Sequence, residues 1–157
     1  MFLWFIGTAI VTVRFVFRDP AFDYRLLIVG SVLPLADIVT GGAGVLHTLV
    51  FSLVLMVVVM LSAVGRRPVR KLLLGLPIGT MLHLVFDATW TDNDLFWWPL
   101  GGWSFDDDRL PEAARGPWWD LGLELVGLAL LVWVWRRSHL EDPARRRRFL
   151  HDGRLFV

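Results

Sequence analysis

The sequence predicts an all-α fold: a multi-pass transmembrane helical bundle of about five spans, with the N-terminus outside and the C-terminus in the cytoplasm. Three observations carry this. Hydrophobic residues make up 55% of the 157, above the roughly 45–50% of a soluble domain, and the mean hydropathy is positive. The net charge is only +1, yet the charged residues fall in blocks that separate long apolar runs. The basic residues and the tryptophans, finally, are distributed in a way that matches the two faces of a membrane.

The runs can be taken in order. Residues 1–17 (MFLWFIGTAIVTVRFVF) form the first, interrupted by Arg14. Residues 25–40 (RLLIVGSVLPLADIVT) form the second, and 44–64 (GVLHTLVFSLVLMVVVMLSAV) the third and most uniformly apolar. Residues 71–90 (KLLLGLPIGTMLHLVFDATW) and 119–135 (WDLGLELVGLALLVWVW) complete the set. A bilayer needs about 20 apolar residues per helix, with roughly 17 as the short limit, so the first, second and fifth runs lie at or slightly below it. Gly41, Gly42 and Gly44 join the second and third as a tight turn. The first run lacks a basic leading region and a small-residue cleavage site, so it reads as a span and not as a signal peptide. Residues 1–136 are thus expected as the transmembrane domain and 137–157 as a basic cytoplasmic tail.

Orientation follows from the arginines. Arg18, Arg25, Arg66, Arg67, Arg70, Lys71, Arg136, Arg137, Arg145, Arg146, Arg147, Arg148 and Arg154 all fall on one side of a five-span chain; that side is cytoplasmic. The opposite side holds an outer loop, 91–118, where Asp92, Asp94, Asp106, Asp107, Asp108 and Glu112 outnumber Arg109 and Arg115. Trp90, Trp97, Trp98, Trp103, Trp118 and Trp119 crowd that loop, and Trp133 and Trp135 mark the inner end of the fifth run, as aromatic belts do. The loop is read first as an interfacial loop anchored by these rings, with a lid over a site as the alternative. The arginine cluster at 145–148 suits an anionic inner leaflet and not a nucleic acid. With no cysteine there are no disulfides and no thiolate metal sites.

Within the runs lie ionisable groups that cost a few kcal/mol each in a membrane: Asp37, His47, His83, Asp87 and Glu124. His83 and Asp87 are four residues apart and share a helix face. In the five-span topology all five groups, from four helices, lie within roughly 12 Å of the outer interface at 1.5 Å per residue. Each taken singly could be a packing residue: Asp37 a helix cap, Glu124 a partner of Arg14 or Arg115. Taken together they predict one shared polar site. Histidine and carboxylate without thiolate suit a divalent metal, zinc first, with manganese or non-haem iron as alternatives.

The segments GSVLPLADIV, HTL, PIGTMLHLVFDATW and FWWPL, within residues 25–105, resemble the YdjM-like family of membrane-bound, metal-dependent hydrolases. The resemblance implies metal binding by Asp37, His47, His83 and Asp87. Four positions depart from the family pattern: Leu35 stands where the family usually has a first aspartate, Gly42 and Ala43 about where it has an upstream histidine followed by arginine, and Leu46 where a threonine precedes the histidine matched by His47. The arginine-rich, nearly lysine-free composition fits the plasma membrane of a bacterium with a GC-rich genome. Two functions are therefore expected. One is an integral-membrane metal-dependent hydrolase with Glu124 as general base, acting on a lipid-linked ester or phosphoester. The other is a non-catalytic membrane subunit whose polar cluster is structural or holds a structural metal. Membrane lipid is the expected partner, with assembly into an oligomer or with a partner subunit left open.

Overall fold

The computed structural model describes residues 1–40, 42, 44–102 and 116–156. The fold is all-α, with no strand among the described residues. Among the described residues eight α-helices follow one another: α1 Phe2–Val16, α2 Tyr24–Val32, α3 Leu49–Ser62, α4 Arg67–Leu73, α5 Gly75–Phe86, α6 Asn93–Phe96, α7 Pro117–Arg137 and α8 Pro143–Asp152. Short 3-10 segments run over Leu33–Thr40, Val45–His47 and Thr89–Thr91.

Fewer helices than expected are long enough to cross a membrane. Among the described residues two qualify by length and composition: the nearly continuous Arg67–Phe86, 20 residues, and α7, 21 residues; α1 and α3 are shorter apolar helices. The second run is the clearest departure, and Pro34 explains it. Proline has no N–H to continue the α-helical ladder, so α2 ends at Val32 and the chain tightens into a 3-10 segment. In the third run, Thr48 sets the start of α3 by accepting a hydrogen bond from the Phe51 N–H at 3.1 Å, a standard N-cap. That leaves His47 outside the helix, in the short 3-10 turn before it.

Two close pairs organise the bundle: α2 on α5 and α1 on α7. Both are built on small residues, which let helix backbones approach closely. A Cβ on Gly79 would strike the backbone of Leu27, Gly30 and Ser31, and one on Gly127 the backbone of Leu3 and Trp4. The α2–α5 contact is the one that positions the candidate site, because it brings the end of α2 against the turn that carries His83.

The tail is folded back onto the bundle. Asp142 caps α8, accepting from the Ala144 N–H at 2.8 Å, and Gly153 ends it in the left-handed region at φ 72°, the usual glycine role there. Beyond it, Leu155 and Phe156 are buried with Ile10, Val13, Phe22, Tyr24, Val134 and Leu140. The Tyr24 N–H donates to the Gly153 carbonyl at 2.9 Å. Arg25 donates to the Leu150 and His151 carbonyls at 3.0 and 2.8 Å and pairs with Asp23 at 2.6 Å. His151 itself is 89% exposed. Much of the outer loop, residues 103–115, lies outside the described residues. Trp103, Asp106, Asp107, Asp108, Arg109, Glu112 and Arg115 are there, as are Gly41 and Ala43 of the glycine-rich turn.

Candidate metal centre

His47, His83 and Asp87 are all buried, and one potential ligand atom from each lies within 4.8 Å of the other two. The His47 and His83 rings meet edge to face, with centroids 5.3 Å apart. Three different local structures deliver them: the 3-10 turn before α3, the last turn of α5, and the residue that ends α5.

Each side chain is held by a second group. The His47 Nδ1 lies 2.9 Å from Asp37 Oδ2, and the same oxygen accepts the Gly44 N–H at 3.0 Å. Asp37 thereby ties the 3-10 segment after α2 to the turn that carries His47. Gly44 fits this closeness: a Cβ there would sit 3.3 Å from the Asp37 carboxyl group. With Nδ1–H donating to a carboxylate, the His47 lone pair is left on Nε2. That atom is buried and has no hydrogen-bond partner among the described residues. A buried imidazole nitrogen left in this way is costly and is the natural place for a ligand.

His83 is oriented by backbone. Its Nδ1 lies 2.7 Å from the Ser31 carbonyl oxygen, which fixes the direction of the ring. Pro34 accounts for the carbonyl's availability. A 3-10 turn would send the i+3 N–H to Ser31, and proline has none. Phe5 of α1 lies against the His83 ring, with centroids 3.8 Å apart and planes 31° from parallel. Asp87 ends α5, its N–H donating to the His83 carbonyl at 2.8 Å. Ala88 then turns the chain at φ 57°, which places Thr89 to donate to Asp87 Oδ2 at 3.2 Å.

The five residues singled out in the sequence therefore separate. His47, His83 and Asp87 come together, and Asp37 stands behind His47. Glu124 is not part of the group. Its Oε2 accepts the Leu3 N–H at 3.0 Å, satisfying one of the donors that the first turn of α1 cannot satisfy internally. It is joined to a neighbouring helix, but through backbone and not through Arg14, whose guanidinium carbon lies 4.6 Å over the Phe156 ring. Sequence reasoning missed Ser31, Gly44, Thr89 and Phe5. Only Thr89 carried a signal, a hydroxyl two residues after Asp87 that can fold back onto it.

Compared with known proteins, the chain matches no protein-family model, no curated protein and no solved structure.

Proposed function

We propose that the protein is an integral-membrane, metal-dependent hydrolase whose ion is held by His47 Nε2, His83 Nε2 and a carboxylate oxygen of Asp87. The observation that carries this is the buried His47 Nε2, left without a hydrogen-bond partner among the described residues at the point where His83 and Asp87 converge. Two imidazoles and one carboxylate form a donor set used by catalytic zinc, which keeps a fourth position open. Asp37 acts in this reading as the outer partner that fixes the tautomer and direction of His47, and the Ser31 carbonyl does the same for His83. When bound, the ion supplies Lewis acidity and lowers the pKa of water.

The membrane setting draws support from the apolar side chains that the bundle leaves exposed. Leu53, Val54, Val57, Val58 and Leu61 on α3, and Leu121, Leu125, Val126 and Leu128 on α7, are all about half or more exposed, as they are when lipid surrounds them. In the five-span topology expected from the sequence, with the arginine-rich side in the cytoplasm, the metal centre would lie at the outer headgroup level. A lipid-linked ester or phosphoester is the substrate such a depth serves. The YdjM-like resemblance of residues 25–105 points the same way.

A second reading is favoured by one observation. His47, His83 and Asp87 are each 0–1% exposed, which suits a closed structural site in a non-catalytic subunit. Elemental analysis separates both from a metal-free cluster. Protein purified without chelator and supplied with zinc is expected to carry about one ion per chain, and His83→Ala close to none. Wild-type protein that takes up no zinc would refute both metal readings. Hydrolysis of lipid esters or phosphoesters by the loaded protein then decides between enzyme and subunit.

A further inference from the structure

A groove with a cavity volume of about 350 Å³ runs between α1, α3 and α5, within the range of about 300–1,000 Å³ usual for small-molecule sites. Its position relative to the metal centre matters. On α5 it is lined by Pro77, Ile78, Met81 and Leu82, the turns immediately before His83. On α3 it is lined by Ser52, Leu53 and Met56, the turns immediately after His47. Along the chain the groove lining therefore starts one residue from His83, at Leu82, and five from His47, at Ser52, and leads away from them along the helices. At 1.5 Å per residue its α5 wall reaches about 9 Å from His83.

The lining is hydrocarbon apart from two hydroxyl residues, Thr12 and Ser52. Ser52 is 2% exposed and its Oγ has no hydrogen-bond partner among the described residues. A buried hydroxyl left so has a cost, and it stands near the histidine end of the groove. The opposite end and the flank are open: Val16, Phe17 and Leu53 are 67%, 52% and 48% exposed.

We infer that this groove holds the hydrocarbon chain of the substrate, a lipid ester or phosphoester whose polar head lies at His47, His83 and Asp87. This rests on the hydrolase reading and gives it a substrate shape. The chain enters sideways through the open flank, and Ser52 donates to an ester oxygen near the head. Polar group and chain then lie in the same order as in the surrounding leaflet, so a lipid need not leave its layer to be bound.

The test uses the full-length protein in phosphatidylcholine vesicles containing phosphatidic acid with a diazirine in mid-chain. After photolysis, crosslinks at Ser52, Met56 and Met81 are expected to be several-fold denser than at Val57 and Leu61, which face outward from α3 at 55% and 68% exposure. Met81→Trp should abolish the groove crosslinks and leave those at Val57 unchanged. Leu53→Trp, at the exposed mouth, should do the same without touching the packed interior. Unlabelled phosphatidic acid should compete, and glycerol 3-phosphate, which lacks the chain, should not. Crosslinking in the groove no denser than at Val57 and Leu61, or unaffected by both substitutions, would overturn the inference. Zinc content is measured in the same preparations. Zinc without groove crosslinking defeats this inference alone, whereas groove crosslinking in protein that takes up no zinc upholds the chain site and defeats the hydrolase reading.

Discussion

Where α3 begins and α5 stops, Asp37, His47, His83 and Asp87 are buried together. At the other end, where α1 stops and α2 begins, Asp23, Arg25 and Arg14 sit around a core of Phe22, Tyr24, Leu155 and Phe156. The second end can be accounted for by stability alone. Asp23 caps α2 through the Arg25 N–H at 3.0 Å, Arg25 closes the last carbonyls of α8, and Arg14 lies over an aromatic face. Apolar area does the rest. The first end cannot be accounted for in this way. Two imidazoles and two carboxylates are withdrawn from water with one ring nitrogen left over, an arrangement that apolar side chains of the same volume would improve on. The comparison teaches that burial of polar groups signals function when it exceeds what local capping requires.

Substitutions at the two ends should therefore have opposite signatures. The largest effect is expected for His47→Ala, which removes a proposed ligand and leaves Asp37 buried without its imidazole: zinc stoichiometry should fall from about one to near zero by elemental analysis. Phe156→Ala at the other end is its mirror image. Loss of a buried phenylalanine costs about 3–5 kcal/mol, so the thermal midpoint should fall clearly while zinc stoichiometry stays at about one. Lost zinc binding in a folded Phe156→Ala protein would break the separation of the two ends.

Asp37→Asn sharpens the division within the metal end. As an outer partner, Asp37 should influence affinity without deciding stoichiometry: zinc should bind about 10–100-fold more weakly, still at one ion per chain. Abolished binding would instead make Asp37 a ligand.

The smallest effect is read at the aromatic end. Tyr24, just ahead of the second apolar run, is the only tyrosine in the chain. Its pKa is pushed from 10 up to about 12, chiefly by burial, with Arg14 opposing and Asp19 adding to the rise. A pKa raised by folding means a stabilisation fully present below pH 10 that is lost as pH climbs through 12. Absorbance of the phenolate should accordingly appear near pH 12 in folded protein and near pH 10 after denaturation.

What could be read from the sequence follows from the range of the interactions involved. The all-α class was legible because apolar runs report burial over many residues. So was the pairing of His83 with Asp87, a matter of helical period. The lengths of the helices were not, since a single proline at position 34 turned the second run from a helix into a helix followed by a 3-10 segment. Shared depth pointed to His47 and His83 together, but depth has no azimuth. It could not tell that Asp37 faces the far nitrogen of His47, or that Glu124 turns to the first turn of α1. Nor could a pattern of side chains indicate that a backbone carbonyl, that of Ser31, orients His83. Its availability depends on an N–H that proline lacks.

The central claim is that His47, His83 and Asp87 hold one ion and Asp37 stands behind them. Anomalous diffraction at the zinc edge, from crystals of zinc-supplied protein, addresses it most directly. The account predicts a single peak about 2.0–2.2 Å from one nitrogen of each histidine and an oxygen of Asp87, with the Asp37 carboxylate outside that sphere and still bonded to His47. A peak ligated by Asp37, or none at this position while zinc is bound elsewhere on the protein, would contradict it.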